Sequence, residues 1–436
     1  MNLLEQLIRD LDAPLARYSI LESYYHGTQA MAFLSPEARE AIGQRFGRMA
    51  TNLPKLAVTA LAERLRVVGL RSEFEAWPDW LRCDLDQMSG VAHREALTLG
   101  RCPIIVWADP AGHPLVTVES PTQVVTRRDP ATRQITAAVK KWETPTSTEA
   151  TLFEPDQITR FRADTIGAVS GFRTIETIPN PLGVVPVVEL VNSDRLLGPA
   201  SSEIDDLIPL VDALNKTLAD MMVGSEFYAR PRRWASGVEL IEDEDGNPVS
   251  PFPETDKLMI AEDPASKFGS LPGSDLAAYE SSVRILLGQI QAVAALPAHY
   301  VGSLTQQPAS ADALRAAEAS LTARSESRQA TFGRAWEQVA KLMIAIRTGA
   351  DPTRLDVAVQ WADASTRSIA QEADAVTKLF TAGLIPAHYA LARLGYDEDE
   401  IREIRNHRKT EIRDQNAENL LNSLANMAPN ERTTNA

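Results

Sequence analysis

The sequence predicts an α+β protein in which helices predominate. Ser310 to Arg347 places apolar side chains at steps of three and four with no internal proline, which predicts a helix about 55 Å long. Cys102 to Glu143 instead alternates with a period of two, which is typical of antiparallel strands. Two further helical stretches, Ile204–Ala229 and Leu276–Ala295, enclose a short segment with the pattern of a β-hairpin.

The region before Gly100 is predicted to be helical. Asn52 and Pro54 are typical of a helix start, and Gly69 of a helix end. The predicted helices run from Leu3 past Ile20 to a stop near Gly27, from Pro36 to Phe46, from Leu56 to Val67 and from Leu81 to Leu99.

The region from 102 to 188 is predicted to be antiparallel. Cys102–Asp109 and Leu115–Glu119 form one hairpin pattern. Thr122–Thr126 and Gln134–Glu143 form another, with aspartate and proline in the turn. Short strands and turns continue to Val188, so this region is expected to be a sheet flanked by helices.

The middle of the chain is predicted to hold a small β excursion between two helices. Ser201 and Ser202 are capping residues for the first helix, and Pro209 either kinks that helix or marks its true start. Between the helices, Val238–Phe252 is predicted to form a hairpin that turns at Asp245–Asn247.

A strand, a polar loop and a second helix follow the long helix. Ser310 is the predicted N-cap of the long helix. Leu355–Trp361 alternates like a strand, and Ala362–Arg367 is small and polar. Ser368 and Gln371 have the spacing of a capping box. This order suits a part repeated around an axis better than a part that forms a pocket.

The C-terminal part is predicted to hold two more helices. Pro386–Leu394 is a short one, ended by Gly395. Asp397 and Glu400 form a second capping box, which opens a charged helix through about residue 424. Residues 429–436 are predicted to be disordered.

The composition predicts a folded, soluble chain. With 44% hydrophobic and 24% charged residues, 436 residues suffice for roughly two to four units with cores of their own. No signal-peptide core follows Met1, and no apolar run reaches the ~20 residues that span a bilayer. Cys83 and Cys102 form no metal-type cluster, which favours a reducing compartment. We therefore expect synthesis in the cytoplasm.

The net charge indicates how the protein would interact with nucleic acid. A formal charge of −15 argues against a protein that binds nucleic acid tightly, since tight binding requires cationic side chains that displace counterions from phosphates. It does not exclude a protein that lets nucleic acid pass, because a surface that guides DNA without holding it should be neutral or acidic.

The sequence carries none of the common catalytic or metal-binding motifs. It has no G-x-x-x-x-G-K-[ST] loop, no H-E-x-x-H or C-x-x-C pair and no G-x-S-x-G nucleophile elbow. Its six histidines are scattered without ligand spacing. No catalytic residue, metal ligand or cofactor is predicted, although a site assembled from distant residues would escape this test.

Eight segments spread along nearly the whole chain carry a family resemblance. They are YYHGTQAMAFLSPE (Tyr24–Glu37), NLPKLAVTALAERLRVVGL (Asn52–Leu70), REALTLGRCPIIVWAD (Arg94–Asp109), SPTQVVTRRDPATRQITAAVKKWE (Ser120–Glu143), VVPVVELVN (Val184–Asn192), IDDLIPLVDALNKTLADMM (Ile204–Met222), PASADALRAAEASL (Pro308–Leu321) and ADAVTKLFTAGLIPAHYALARLGYDEDEI (Ala373–Ile401). In this order they resemble the portal proteins of tailed phages of the siphophage type.

The resemblance implies a dodecameric ring at one capsid vertex, through which double-stranded DNA is pumped in and later ejected. It implies as partners the large subunit of a separate terminase motor, a head–tail adaptor, and the major capsid and scaffold proteins. On this interpretation the protein is a virion component and not an enzyme, because the terminase supplies the energy.

The resemblance also divides the chain into the parts of a portal subunit. Residues 1–200 correspond to N-terminal helices and an α/β wing, and 201–230 to a stem helix. Residues 231–274 correspond to a clip with some β structure, and 275–300 to the returning stem helix. Residues 301–368 correspond to the long wing helix with its tunnel loop, and 369–436 to a short helical crown.

Two groups of residues are predicted to face partners. In the tunnel loop, Asp363, Ser365, Thr366 and Arg367 would line the channel, where ring symmetry repeats each charge as a circle and the hydroxyls touch phosphates weakly. The alternative is a solvated loop. In the clip, the predicted docking residues for terminase or adaptor are Arg230, Arg232, Arg233, Trp234, Glu242, Asp243, Glu244 and Asp245.

Purely structural interpretations of the clip residues also stay open. The basic residues and the tryptophan also suit salt bridges and packing between stem and clip, and the acidic run also suits a solvated hairpin tip.

Two other functions of the whole protein are open as well. Against a scaffold or minor head protein stand the mixed α/β wing and the clip-like hairpin. Against a soluble enzyme with a dispersed site stand the missing motifs and the rod-like helices.

Overall fold

The computed structural model describes residues 2–32, 50–229, 233–237, 265–270, 276–302, 311–365, 369–396 and 398–427. The chain divides into two compact units, which meet in sequence at Ser365 and Thr366. Several predictions lie outside the described residues. They are the helix Pro36–Phe46, the hairpin Val238–Phe252, the caps Ser310, Ser368 and Asp397, and the tail 429–436.

Two helices form the N-terminus. The predicted single helix is interrupted, giving α1 (Leu3–Asp12) and α2 (Leu15–His26). Pro14 stands at the break, where a residue without a backbone N–H cannot continue the helical hydrogen bonds. Gly27 ends α2 with φ 66°, as its position in the sequence predicts.

The third predicted helix is shorter than expected, and a strand replaces its end. Helix α3 spans Leu53–Ala62, and β1 spans Val67–Ser72. The predicted helix Leu56–Val67 is therefore confirmed up to Ala62, whereas its predicted end at Gly69 was wrong, because Gly69 lies within a strand. The cause is tertiary, because β1 pairs antiparallel with a strand almost 300 positions later.

The helical prediction up to residue 99 holds with one break. Helices α4 (Trp77–Arg82) and α5 (Leu85–Leu99) are separated at Cys83 and Asp84, and Asp84 adopts φ 54°. Gly100 ends α5 with φ 89°.

The β region forms two antiparallel sheets, and both predicted hairpins are confirmed. The three-stranded sheet has the order β3-β2-β9, and the five-stranded sheet runs β4 to β8 in sequence order. The strands are β2 (Arg101–Ala108), β3 (Pro114–Val118), β4 (Val124–Arg128), β5 (Ile135–Glu143), β6 (Thr148–Phe153), β7 (Gln157–Ala163), β8 (Arg173–Pro179) and β9 (Val187–Val191).

Pro209 marks the true start of the next helix. A 3₁₀ turn (Asp205–Leu207) precedes α6 (Ile208–Ala229). The Ser202 hydroxyl accepts a hydrogen bond from the Ile204 N–H at 3.0 Å, and the Asp205 carboxylate accepts one from the Ser202 N–H at 2.8 Å. This reciprocal pair of bonds precedes the 3₁₀ turn, so of the two predicted capping serines only Ser202 takes part, while the Ser201 hydroxyl donates to the Asn192 carbonyl at 3.4 Å.

Helix α7 (Ala277–Ala294) returns along α6 and packs against it. Between them, β10 (Arg233–Ser236) pairs antiparallel with β11 (Lys267–Ser270). A β excursion between two helices is therefore present, and the predicted hairpin Val238–Phe252 lies between its two strands, outside the described residues.

The long helix α8 spans Ala311–Thr348, which is 38 residues, and ends at Gly349 with φ 72°. After a 3₁₀ turn (Pro352–Arg354), β12 (Val357–Trp361) confirms the predicted strand and pairs with β1. Both the long helix and the strand were therefore predicted correctly.

The second unit is helical in its described part. It holds α9 (Ile369–Thr381), α10 (Ala387–Arg393) and α11 (Glu398–Met427). These bounds match the predicted helices to within a few residues, and Gly395 follows α10 with φ 93°. The fold class is thus α+β with helices predominant. Across the described ranges, no helix combines the length and apolar character needed to cross a membrane.

An aromatic cluster at the centre of the first unit fixes α8 in the core. Trp336 and Phe332 of α8 and Trp80 of α4 are fully buried. The Trp336 indole N–H donates a hydrogen bond to His93 Nε2 at 2.8 Å, and the His93 ring stacks on Phe332 at 5.6 Å. Burial lowers the pKa of His93 to about 3, so this imidazole is neutral.

Trp336→Ala should reduce the free energy of unfolding by ~3–5 kcal/mol, because it leaves a cavity and removes the donor to His93. Chemical denaturation measures the loss. The matched control is Trp234→Ala, since the Trp234 side chain is 43% exposed, and it should cost less than about 1 kcal/mol. Equal losses in the two variants would contradict the assignment of Trp336 to the core.

The stability of the first unit should fall with pH through His93. Unfolded histidine binds a proton below its ordinary pKa of 6.5, whereas folded His93 stays neutral down to about pH 3. The free energy of unfolding should therefore drop by about 2 kcal/mol between pH 8 and pH 5 from this group. His93→Gln keeps an acceptor for Trp336 but does not titrate, and should flatten this part of the profile.

The control for this measurement is His113→Gln, because His113 lies exposed in the β2–β3 turn. This variant keeps His93, so the loss of stability between pH 8 and pH 5 should persist. A wild-type slope in His93→Gln would show that other groups cause the pH dependence.

Candidate channel loop

The predicted tunnel loop begins at the end of β12, where the first unit ends. Its described part is Ala362–Ser365. Asp363 is exposed, and its Oδ1 accepts hydrogen bonds from the Ser365 N–H at 2.9 Å and the Ser365 hydroxyl at 2.7 Å. This is an Asx-type turn, in which the aspartate carboxylate holds the backbone two residues later. The serine hydroxyl thus donates within the loop. Thr366 and Arg367 lie outside the described residues.

Backbone hydrogen bonds fasten the first residue of the loop. The Ala362 N–H donates to the carbonyl of Arg66 at 2.9 Å, which extends the pairing of β1 and β12. The Gln329 side-chain amide, on α8, donates to the carbonyls of Ala362 at 3.0 Å and Arg64 at 3.1 Å. Gln329 therefore joins the long helix to the residue that follows β12 and to the segment between α3 and β1.

A buried arginine fastens the next turn of the loop. Arg64 Nη1 donates to the Ala364 carbonyl at 2.8 Å and to Thr322 Oγ1 at 3.3 Å. Its Nη2 donates to Glu318 Oε2 at 3.1 Å and to the Tyr300 hydroxyl at 3.4 Å. Ala364 itself is buried. We refer to Arg64, Tyr300, Glu318, Thr322 and Ala364 as the Arg64 junction.

The Arg64 junction keeps its charges balanced. Burial alone would lower the pKa of Arg64, but hydrogen bonds to Tyr300 and Glu318 more than offset it and raise that pKa. His299 Nε2 lies 3.4 Å from the second oxygen of Glu318. No local sequence pattern predicted this junction, because its members are separated by up to 300 positions.

A second buried arginine fastens α8 elsewhere. Arg328 pairs with Asp194 and, at 2.8 Å, with Glu203, and Arg324 also contacts Glu203 at 3.4 Å. The hydrogen bond from Arg328 lowers the pKa of Asp194. These pairs hold the long helix against the segment between β9 and α6.

The predicted clip residues are described only in part. Trp234 lies in β10 opposite Gly269 of β11, and a Cβ at position 269 would lie 2.7 Å from its indole ring. The exposed indole therefore covers a glycine on the neighbouring strand. The backbone of Arg233 lies in β10, while Arg230, Arg232 and the acidic run Glu242–Asp245 lie outside the described residues.

The described residues hold no group of three or more His, Cys, Asp or Glu side chains placed to bind a metal ion. A groove of about 440 Å³ between the two sheets is lined by Trp107, Trp142 and Phe153. Its lysine, Lys140, is paired with Glu119 at 2.6 Å.

Comparison with known proteins identifies the family. A family model described as "Phage portal protein, SPP1 Gp6-like" matches residues 4–414. The chain belongs to the phage portal protein family. The portal protein of Mycobacterium phage L5 is 29% identical over 433 residues, covering 90% of this chain and 88% of that protein. The portal protein of Mycobacterium phage D29 is 30% identical over 389 residues, covering 81% of this chain and 77% of that protein.

Similar solved structures come from gene transfer agent (GTA) particles. One is the neck of a native particle computed with C12 symmetry, with 13% identity and a TM-score of 0.48. Another is the virion of the native particle, with 12% identity and a TM-score of 0.46. Each match covers 87% of this chain and 93% of the other.

Proposed function

We propose that copies of this chain form a ring-shaped channel at the portal vertex of a phage capsid, through which double-stranded DNA enters during packaging and leaves during ejection. The observation that carries the proposal is the match to the portal family across residues 4–414. The protein acts as a conduit, without a catalytic site of its own. Neither a scaffold or minor head protein nor a dispersed-site enzyme is favoured by that match.

The parts of a portal subunit are assigned by order along the chain. Residues 1–200 form the wing and 301–368 the long wing helix with the tunnel loop. The stem consists of α6 and α7, whose packing against each other supports this assignment. The clip occupies 231–274, supported by the pairing of β10 and β11 between the two stem helices. The crown is 369–436.

The tunnel loop borders the DNA path in this proposal. A ring repeats the exposed Asp363 as a circle of negative charge and Arg367 as a circle of positive charge. Together with a net charge of −15 per chain, this surface would attract DNA only weakly and permit it to slide. Contacts from Ser365 and Thr366 would be to phosphates and without sequence preference.

The proposed partners follow the same assignment. The clip would dock the large terminase subunit during packaging and the head–tail adaptor afterwards, through its basic residues, Trp234 and the acidic run. The exposed indole of Trp234 suits such docking, because aromatic side chains are enriched at interfaces. The wing would contact the major capsid and scaffold proteins, which places the ring in the virion.

The ring is tested by the mass of the purified protein. Twelve chains of 47.7 kDa give about 572 kDa, which native mass spectrometry resolves from neighbouring ring sizes. We expect particles near this mass that appear as rings in negative-stain images. A monomer or dimer at every salt concentration would contradict self-assembly of the chain.

Reversing the clip acids tests docking. Replacing Glu242–Asp245 with four lysines should weaken binding of the adaptor or terminase by about tenfold or more, because buried or close charge pairs at an interface are worth several kcal/mol. Biolayer interferometry measures the affinity. The run Asp397–Glu400 offers a matched control with the same change in charge. Equal weakening in both variants would indicate a general charge effect instead of clip docking.

A further inference from the structure

Three distant segments of the first unit meet at one guanidinium group. Tyr300 lies in the turn after α7, Glu318 and Thr322 lie on α8, and Ala364 lies in the loop after β12. Arg64 comes from the residues just after α3 and contacts all four. Arg64 thus ties the loop at Ala364 both to the long helix and to the turn after α7, in addition to the bond from Gln329 to Ala362.

The set of hydrogen-bond partners in the Arg64 junction requires an arginine at position 64. A buried cation needs a counterion, and Glu318 supplies one, with side chains of Arg64 and Glu318 only 8% and 10% exposed. The guanidinium has five donors in a planar fork, so it can pair with the carboxylate and still donate to a carbonyl on its other side. A lysine ammonium is a single point and cannot span these partners.

We propose that Arg64, held by Glu318, is the positioning residue of the channel loop: its hydrogen bond to the Ala364 carbonyl fixes the loop base to α8 and to the turn after α7. The role of that loop in passing DNA rests on the proposed function, whereas its being held by Arg64 does not.

Arg328 shows that a buried arginine on this scaffold need not touch the loop. It is also buried and also paired with carboxylate, but its two partners, Asp194 and Glu203, lie before α6. Arg328→Lys is therefore a matched control for Arg64→Lys, since both keep the positive charge and lose the planar fork.

Hydrogen–deuterium exchange of the full-length protein tests the positioning role. Arg64→Lys should speed exchange of the backbone amides in residues 362–365 by about tenfold to a hundredfold, because a charge-assisted hydrogen bond to the loop is lost. Exchange in β12 and in the second half of α8 should stay within about twofold of wild type. Arg328→Lys should leave residues 362–365 unchanged.

Two results would overturn the proposal. One is wild-type exchange at residues 362–365 in Arg64→Lys, and the other is equal acceleration in β12 and α8, which would show a general loss of structure. If Arg64→Lys does not fold, the double variant Arg64→Met/Glu318→Leu removes both charges at once, which cores often tolerate. It should accelerate exchange at the same residues, and its failure to do so would equally refute the positioning role.

DNA packaging in assembled particles separates this inference from the proposed function. Replacing Ser365–Arg367 with Gly-Ser-Gly keeps the anchored residues Ala362 and Ala364 and should leave ring mass unchanged while packaged DNA falls. Normal packaging by that variant would contradict the channel role of the loop but not its anchoring. If the channel role holds, Arg64→Lys rings of wild-type mass should also package less DNA than Arg328→Lys rings.

Discussion

The structure of the first unit depends on burying one face of a helix that cannot stand alone. Most of the stability of a helix in water comes from packing an apolar face and not from helix propensity. In α8 that face carries Phe332, Trp336, Val339 and Met343, all fully buried. Strands and helices from both earlier and later in the sequence pack on it, so this helix connects parts of the chain that are far apart.

The buried face of α8 changes character along its length. Its C-terminal half is apolar, whereas its N-terminal half buries Glu318, Ser325 and Arg328. Buried ion pairs add little net stability, because desolvation offsets much of their attraction, but breaking one leaves an unpaired charge. A slip of α8 by one residue would separate Glu318 from Arg64 and Arg328 from Glu203 together. We infer that the apolar half supplies stability and the ionic half sets the register.

Local patterns predicted the long helix, its glycine stop, the two hairpins and the strand β12, because periodicity and turn chemistry are readable within a few residues. They failed after Ala62, where the predicted helix stops early and the residues from Val67 form a strand that pairs with β12. They also missed Arg64, whose partners come from three later segments. In both cases the deciding contact joins residues more than 200 positions apart.

The position of the loop was predicted from the sequence, but the contacts that hold it were not. Its small polar composition identified it as a candidate channel surface, but composition says nothing about how it is held. The described contacts place two kinds of restraint side by side: the Ala362 and Ala364 carbonyls accept hydrogen bonds from side chains of other segments, whereas Asp363 and Ser365 bond to each other. Because these two carbonyls are hydrogen-bonded to side chains of other segments, the backbone of the loop is held in one position relative to the rest of the first unit. In the proposed ring, symmetry would repeat the same restraint in every subunit.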